Sequence, residues 1–214
     1  MVLARTKLEP LKLERRQLSA LNTFEFWSRK LGRNTLLIGP SQFDAALILE
    51  FDPAVQTYCE RPPLSLDLLP HGENDARDLD FWVHRSGGHQ LGVVVFEVTR
   101  KLTEERIRRS IEVSEMPVEL WLVGDMGQRR QFLRNLKHLR PYISNEEIIP
   151  CETRSKIESF LRDYREGTWR QVLTACNEDP STFAHAISLL YFEGVLDLDI
   201  SARPLSMTTW ISAR

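Results

Sequence analysis

The spacing of apolar positions changes several times along this chain, and each change predicts a new element. Over residues 9–31, Leu11, Leu18, Leu21, Phe24 and Trp27 recur in steps of three or multiples near a helical repeat, and Gly32 closes that segment. A short apolar strand is expected over 35–38, ended by Gly39-Pro40. Ser41-Gln42-Phe43-Asp44 then reads as a helix start, with Ser41 as the cap and Asp44 in the first turn. That helix runs to about Glu50, carries Phe43, Leu47 and Phe51 on one edge, and is followed by Pro53. Strands are expected over 54–60 and 64–69, separated by Pro62-Pro63. A polar loop from His71 to Arg77 leads to a strand over 78–84, and Gly87-Gly88 turns the chain into another over 91–99. The run Val93-Val94-Val95-Phe96 has no polar alternation, so it belongs in a central strand covered on both faces. A helix over 103–114, a strand over 118–123 and a helix over 125–139, capped by Asp125, complete an α/β unit.

Past Pro141 the pattern changes. Helices are expected near 153–165, 169–176 and 181–193, each preceded by capping residues: Glu152-Thr153, Thr168 and Asp179-Pro180. Pro180 falls at the first helical position, where its missing N–H costs nothing. Gly194 ends the last helix, and 195–200 and 206–211 read as two short strands. Three helices and a strand pair suggest a winged-helix-like module. The expected organisation is therefore an α/β domain over 1–143 and a small second module over 144–214.

The chain has 214 residues, enough to bury a sizeable core. No apolar run approaches the ~18–20 residues of a membrane helix, and no charged-then-apolar leader opens the chain. Cys59, Cys151 and Cys176 are odd in number and far apart. They argue against a disulfide framework or a Cys-rich zinc site and fit a reducing cytoplasm, the expected location. The formal net charge of −2 averages unlike segments: +5 over 1–40, −7 over 41–98, +4 over 99–140 and −4 over 141–214. Of the 28 basic residues, 22 are Arg. That bias suits bidentate contacts to phosphate or carboxylate, and equally reflects a high-GC genome.

Familiar nucleotide-binding and hydrolase motifs are missing: there is no P-loop, dinucleotide fingerprint, G-x-S-x-G elbow or H-E-x-x-H. What remains is Asp80 in one strand and Glu97-Val98-Thr99 at the end of its neighbour. Two such acids can converge on one Mg²⁺ (or Mn²⁺), a hard cation suited to oxygen ligands, which activates water for phosphodiester hydrolysis. Spacing alone favours the alternative, two edge-of-sheet acids solvated by water. Strand alternation puts Glu97, Thr99 and Lys101 on one face, and Val98 and Arg100 on the other.

These residues carry a resemblance. Ser41-Gln42-Phe43-Asp44, Leu49-Glu50-Phe51-Asp52-Pro53, Val55, Tyr58, Glu60-Arg61-Pro62, Asp80-Phe81 and Phe96-Glu97-Val98 together resemble the TnsA-type endonucleases of heteromeric transposases. Asn135-Leu136-Lys137, Arg140-Pro141-Tyr142, Ile200-Ser201-Ala202-Arg203-Pro204-Leu205 and Trp210-Ile211 are similar to that family's C-terminal module. The resemblance covers most of the chain from about residue 20. It implies a restriction-endonuclease-like mixed sheet flanked by helices, with transposon-end DNA, a TnsB-like transposase and a TnsC-like ATPase as partners.

Two positions that the resemblance marks as catalytic depart from its pattern. The first acid of the family falls on Gln42, and its lysine falls on Thr99, whereas Asp80 and Glu97, the implied metal ligands, are kept. An amide is neither a base nor a good metal ligand, and Thr99 removes an ammonium that would stabilise charge on the phosphate. Lys101, displaced by ~6.7 Å along the same strand face, is the candidate replacement. Three readings follow: a TnsA-like subunit that binds and does not cut, a working endonuclease using Asp80, Glu97 and Lys101, and a regulatory or defence-related binding protein that borrowed the fold. For DNA contact the candidates are Arg106 and Arg109, with Arg108, and Arg129 and Arg130, with Arg134. For the first group the alternative is a solvated helix face with local ion pairs. Trp82, Trp121 and Trp169 are expected in the core.

Overall fold

The stretch expected as an N-terminal helix contains a β-hairpin. The computed structural model describes residues 8–13, 22–68, 76–97, 101–144 and 150–214. In it β1 (Thr23–Ser28) pairs antiparallel with β2 (Arg33–Ile38). Phe24, Phe26 and Ser28 point inward and Thr23 and Glu25 outward, so the period is two. The helical spacing came from Leu18 and Leu21, which lie outside the described residues. The aromatic and Thr-rich hairpin has its own preference for a pleated surface. Gly32, read as a helix terminator, instead adopts φ +62° in the tight turn, and its N–H bonds Ser28 O at 2.9 Å. Thr35 Oγ1 donates across the hairpin to Phe26 O at 3.1 Å.

Next comes α1 (Gly39–Phe51), which begins two residues earlier than expected, so Ser41 lies inside it rather than capping it. Its Phe43 stacks on Phe24 and meets Phe26 edge-on, with ring centroids 5.2 and 5.9 Å apart. The chain continues through β3 (Val55–Glu60), β4 (Ser65–Asp67), β5 (Ala76–Asp78), β6 (Phe81–Arg85) and β7 (Gln90–Phe96). After β7 come α2 (Lys101–Val113) and β8 (Val118–Leu122).

The main sheet is mixed, in the order β3-β6-β7-β8. β3, β6 and β7 run antiparallel, and β7 pairs parallel with β8 after the α2 crossover. Val93, Val94 and Val95 of β7 are buried in this central strand, as their unbroken apolar run requires. Cys59, Leu66, Leu79, Trp82, Val94 and Ile107 form one buried cluster, with Ile107 supplied by α2.

Two strands differ from expectation at places that matter later. The single strand expected over 78–84 is broken: β5 ends at Asp78, pairs with β4 in a separate ribbon, and β6 begins at Phe81. Leu79 and Asp80 form the break. The strand expected to reach Thr99 ends at Phe96.

Beyond β8 the single helix expected from Asp125 is two: α3 (Val123–Gln128), with Asp125 in its first turn, and α4 (Arg130–Ser144). Pro141 lies inside α4 rather than ending it. Its ring removes one N–H from the last turn, while buried Leu139 and Ile143 hold that turn against the core. α5 (Cys151–Tyr164) starts after Pro150, whose side chain makes no capping bond, so the expected cap at Glu152-Thr153 is not used.

Local signals were accurate further on. β9 (Glu166–Thr168) leads into α6 (Trp169–Cys176), where Thr168 and Gln171 form a reciprocal capping box. Asp179 caps α7 (Pro180–Phe192) through Thr182 N at 2.8 Å, with Pro180 in its first turn. β10 (Leu196–Leu198) and β11 (Trp210–Ala213) follow, and the three short strands pair antiparallel in the order β10-β11-β9.

The described residues up to Leu49 and from Ala54 to Gln128 form one compact unit. Glu50–Pro53 and those from Arg129 to Arg214 form the other, which takes in α4. Among the described residues no helix is long and apolar enough to cross a membrane. Cys59 and Cys176 are buried and Cys151 is exposed, all as free thiols. Trp82 and Trp169 are buried as expected, and Trp121 is half-buried with its indole N–H on Glu119 at 3.0 Å.

Candidate functional site

Asp80 sits in the gap between β5 and β6, and the backbone holds it there from both sides. Its N–H donates to Val93 O at 2.9 Å and its carbonyl accepts from Arg61 N at 2.8 Å. Leu79 N bonds Leu64 O at 3.0 Å, and the Leu79 side chain presses on the Cα of Gly92 in β7, where an added Cβ would come within 2.6 Å. A residue in a strand break, pinned by neighbouring strands, presents its side chain in a fixed direction. That direction points at the first turn of α1.

Gln42 meets it. Ile38 N donates to Gln42 Oε1 at 2.9 Å, which fixes the amide orientation, so Nε2 donates to Asp80 Oδ1 at 2.6 Å. The other carboxylate oxygen, Oδ2, accepts from Val95 N at 2.8 Å and from Arg77 Nη2 at 3.2 Å. The same Arg77 Nη2 also donates to Val95 O at 3.3 Å. Asp80 is 6% exposed, and burial pushes its carboxyl above the usual aspartate range, against the opposing pull of Arg77 and the three donors.

The structure thus brings Gln42 and Asp80 together, as the sequence expected, and adds a residue that the sequence reading left at the end of a polar loop. Arg77 is in β5, three residues before Asp80. The Arg-x-x-Asp spacing was the available signal, but it has no meaning until β5 and β6 are known to break between the two residues. Glu97 is exposed, one residue past the end of β7. Thr99 lies outside the described residues. Lys101 opens α2 instead of continuing a strand. The strand stops because β8 pairs no further than Phe96.

A divalent cation is tested against this donor set directly. Mg²⁺ takes six oxygens at about 2.0–2.1 Å. Here Asp80 already accepts three hydrogen bonds, its neighbour Gln42 presents an NH₂ rather than an oxygen, and a guanidinium lies against Oδ2. Among the described residues no three His, Cys, Asp or Glu side chains gather in a way that could hold a metal ion. As arranged, Asp80 does not fit the ion.

A second buried acid is paired more completely. Glu60, at 1% exposure, is held bidentately by Arg33, with both N–O distances 2.6 Å. Next to it Arg61, at φ +45°, donates to Leu36 O and packs against Leu11. These residues belong to the Glu-Arg-Pro motif and brace the hairpin against β3. An open depression of about 460 Å³ lined by Arg85, His89 and Pro117 lies at the turn end of β6, away from Asp80.

Of the expected DNA contacts, Arg109 is exposed on α2, while Arg106 is half-buried. On the same helix Arg108 pairs with Glu104, at 2.8 Å. Arg129, Arg130 and Arg134 are exposed at the start of α4, in the second unit.

In that second unit Asn135 is buried and uses every hydrogen-bonding place it has. Its amide donates to Ile200 O at 2.8 Å and Arg203 O at 2.7 Å, and its oxygen accepts from Leu205 N at 3.0 Å and Gln131 Nε2 at 3.1 Å. Two of the four sequence segments that carried the resemblance in this half of the chain, 135–137 and 200–205, therefore meet through one side chain. No protein-family model matches the chain, and a search of curated proteins returns no match.

Proposed function

We propose that the chain is a TnsA-like subunit of a DNA transposition machinery, with a restriction-endonuclease-like first unit whose cleavage centre is closed. Its work is binding: to transposon-end DNA, to a TnsB-like transposase and to a TnsC-like ATPase. The single observation that carries this reading is the Gln42 Nε2 to Asp80 Oδ1 hydrogen bond at 2.6 Å. A glutamate at position 42 would set two carboxylates against each other and call for a cation between them. The amide closes the same gap with a hydrogen bond.

The second unit supports the binding half of the reading. Its order from α5 onward, helix, strand, two helices and a strand pair closing a three-stranded sheet, is compatible with a winged-helix-like module. Residues 141–214 carry a formal charge of −4, which favours a protein partner over the phosphate backbone. The exposed Arg129, Arg130 and Arg109 are the candidates for DNA.

The test is nicking of a supercoiled plasmid carrying element ends, with Mg²⁺ or Mn²⁺. The unaltered chain leaves the plasmid intact. Gln42→Glu and Thr99→Lys, combined with Arg77→Gln to clear the guanidinium from Asp80, create nicking, and any one of these changes alone does less, because groups that act as one unit are not additive. Strong nicking by the unaltered chain, abolished by Asp80→Ala and by Lys101→Ala, would establish the alternative of a working endonuclease.

A further inference from the structure

Arg77 Nη2 lies between two oxygens, Asp80 Oδ2 and the backbone carbonyl of Val95. A carboxylate oxygen and a carbonyl oxygen converging on one point are the hard donors that cations of the Mg²⁺ and Ca²⁺ type select. Here the point is filled from within the chain. Arg77 does not sit there because every one of its donors is satisfied. Its Nε is buried without a hydrogen-bond partner, a cost borne by a side chain that is otherwise 40% exposed. The attraction of Asp80 and Val95 O outweighs that unsatisfied donor. Across the same carboxylate, Gln42 supplies a second donor in place of a charge.

We propose that the Arg77 guanidinium is the resident cation of the Asp80 site, holding the position a divalent ion would take and keeping such ions out. Two residues share the exclusion. Gln42 removes one ligand, and Arg77 fills the place left. Restoring the acid at position 42 alone therefore leaves a site with its cation already present. This rests on Asp80 being the pivot of a closed site, and not on the identity of the DNA or protein partners.

The test uses the full chain and terbium(III), whose luminescence is sensitised by tryptophan; Trp82 begins two residues beyond Asp80. Gln42→Glu is compared with Gln42→Glu/Arg77→Met and Gln42→Glu/Arg77→Gln, with Mn²⁺ as competitor. Removing the guanidinium should tighten terbium binding at least about tenfold, the scale of one unscreened like charge at a partly buried site. Gln42→Glu/Arg77→Lys, which keeps a cation, should stay near Gln42→Glu, and adding Asp80→Asn to the Met variant should abolish the gain. The glutamine variant keeps most of the side-chain volume and serves if the methionine variant melts early. Equal affinity with and without Arg77, or no ion taken up by any variant, would overturn the proposal. Failure of the unaltered chain to bind element ends would instead sink the transposition reading and leave this one standing.

Discussion

Asp80 and Asn135 are both buried polar side chains that tie together distant parts of the chain, yet they do so in opposite ways. Asn135 is neutral, and its two donors and two acceptor places are all taken by groups of its own unit. Nothing is left over for a ligand, so its role is to fix the loop from Ile200 to Leu205. Asp80 carries a charge that burial disfavours, balanced by a guanidinium that is itself partly exposed. A complete neutral network specifies a fold. A charged group whose partner reaches solvent leaves a site that substitution of its two neighbours, Gln42 and Arg77, can reopen. The contrast gives Asn135 a structural role and leaves Asp80 as the candidate for a functional one.

The sharpest way to break this comparison is at the hub. Asn135→Leu leaves Ile200 O buried, and Arg203 O and Leu205 N part-buried, without their partner and should cost ~2–3 kcal/mol, read by denaturant unfolding. A loss under ~1 kcal/mol would mean that water replaces the side chain and that the hub is not what fixes the loop.

A smaller effect is expected beside Asp80. Gly92→Ala puts a Cβ within 2.6 Å of Leu79 Cδ1 in a well-packed strand pair. The expected cost is ~1–3 kcal/mol, with the strand break displaced. Thermal melts measure the cost. If Gly92→Ala melts like the unaltered chain, the break has room that the packing denies.

The smallest effect is electrostatic and has a sign. Burial raises the Asp80 carboxyl above its ordinary 3.8, so the folded state holds that proton more tightly than the unfolded one. Its contribution to stability is fully present below 3.8 and is lost as pH rises through the higher folded value. Relative to Asp80→Asn, the unaltered chain should therefore lose stability as pH rises above 3.8, measured by parallel denaturant titrations. A rise in relative stability over that range would show that Arg77 and the three donors outweigh burial, and would move Asp80 toward the structural class.

How much of this was legible in the sequence follows the range of the interactions involved. The bounds of α6 were read from Thr168 and those of α7 to within a residue from Asp179-Pro180, because a cap is a contact over three residues. The buried β7 was legible because four consecutive apolar residues leave no solvent face. The β1–β2 hairpin was not, since Phe24 and Trp27 fit a helical spacing and an alternating one equally, and only pairing with Arg33–Ile38 decides. Gln42 and Asp80 were named as partners through the resemblance. Arg77 was missed because its role depends on the two-residue strand break at Leu79 and Asp80. Asn135 stood in a quoted motif, but its partners are 65 to 70 residues away.

The division of the chain bears on how it can be cut and recombined. Phe51, at the end of α1, packs its ring against Tyr191 and Phe192, with centroids 6.0 and 6.3 Å away, and Pro53 lies under Gly194. The second unit thus borrows Glu50–Pro53 from the first half of the polypeptide. A ribosome releases those four residues long before the helices they serve, so the second core closes only after the last helix has been made. A gene fragment beginning at codon 129 encodes a core missing an aromatic wall, and no single crossover exchanges this module between chains. Inheritance of the two halves is coupled by a four-residue loan.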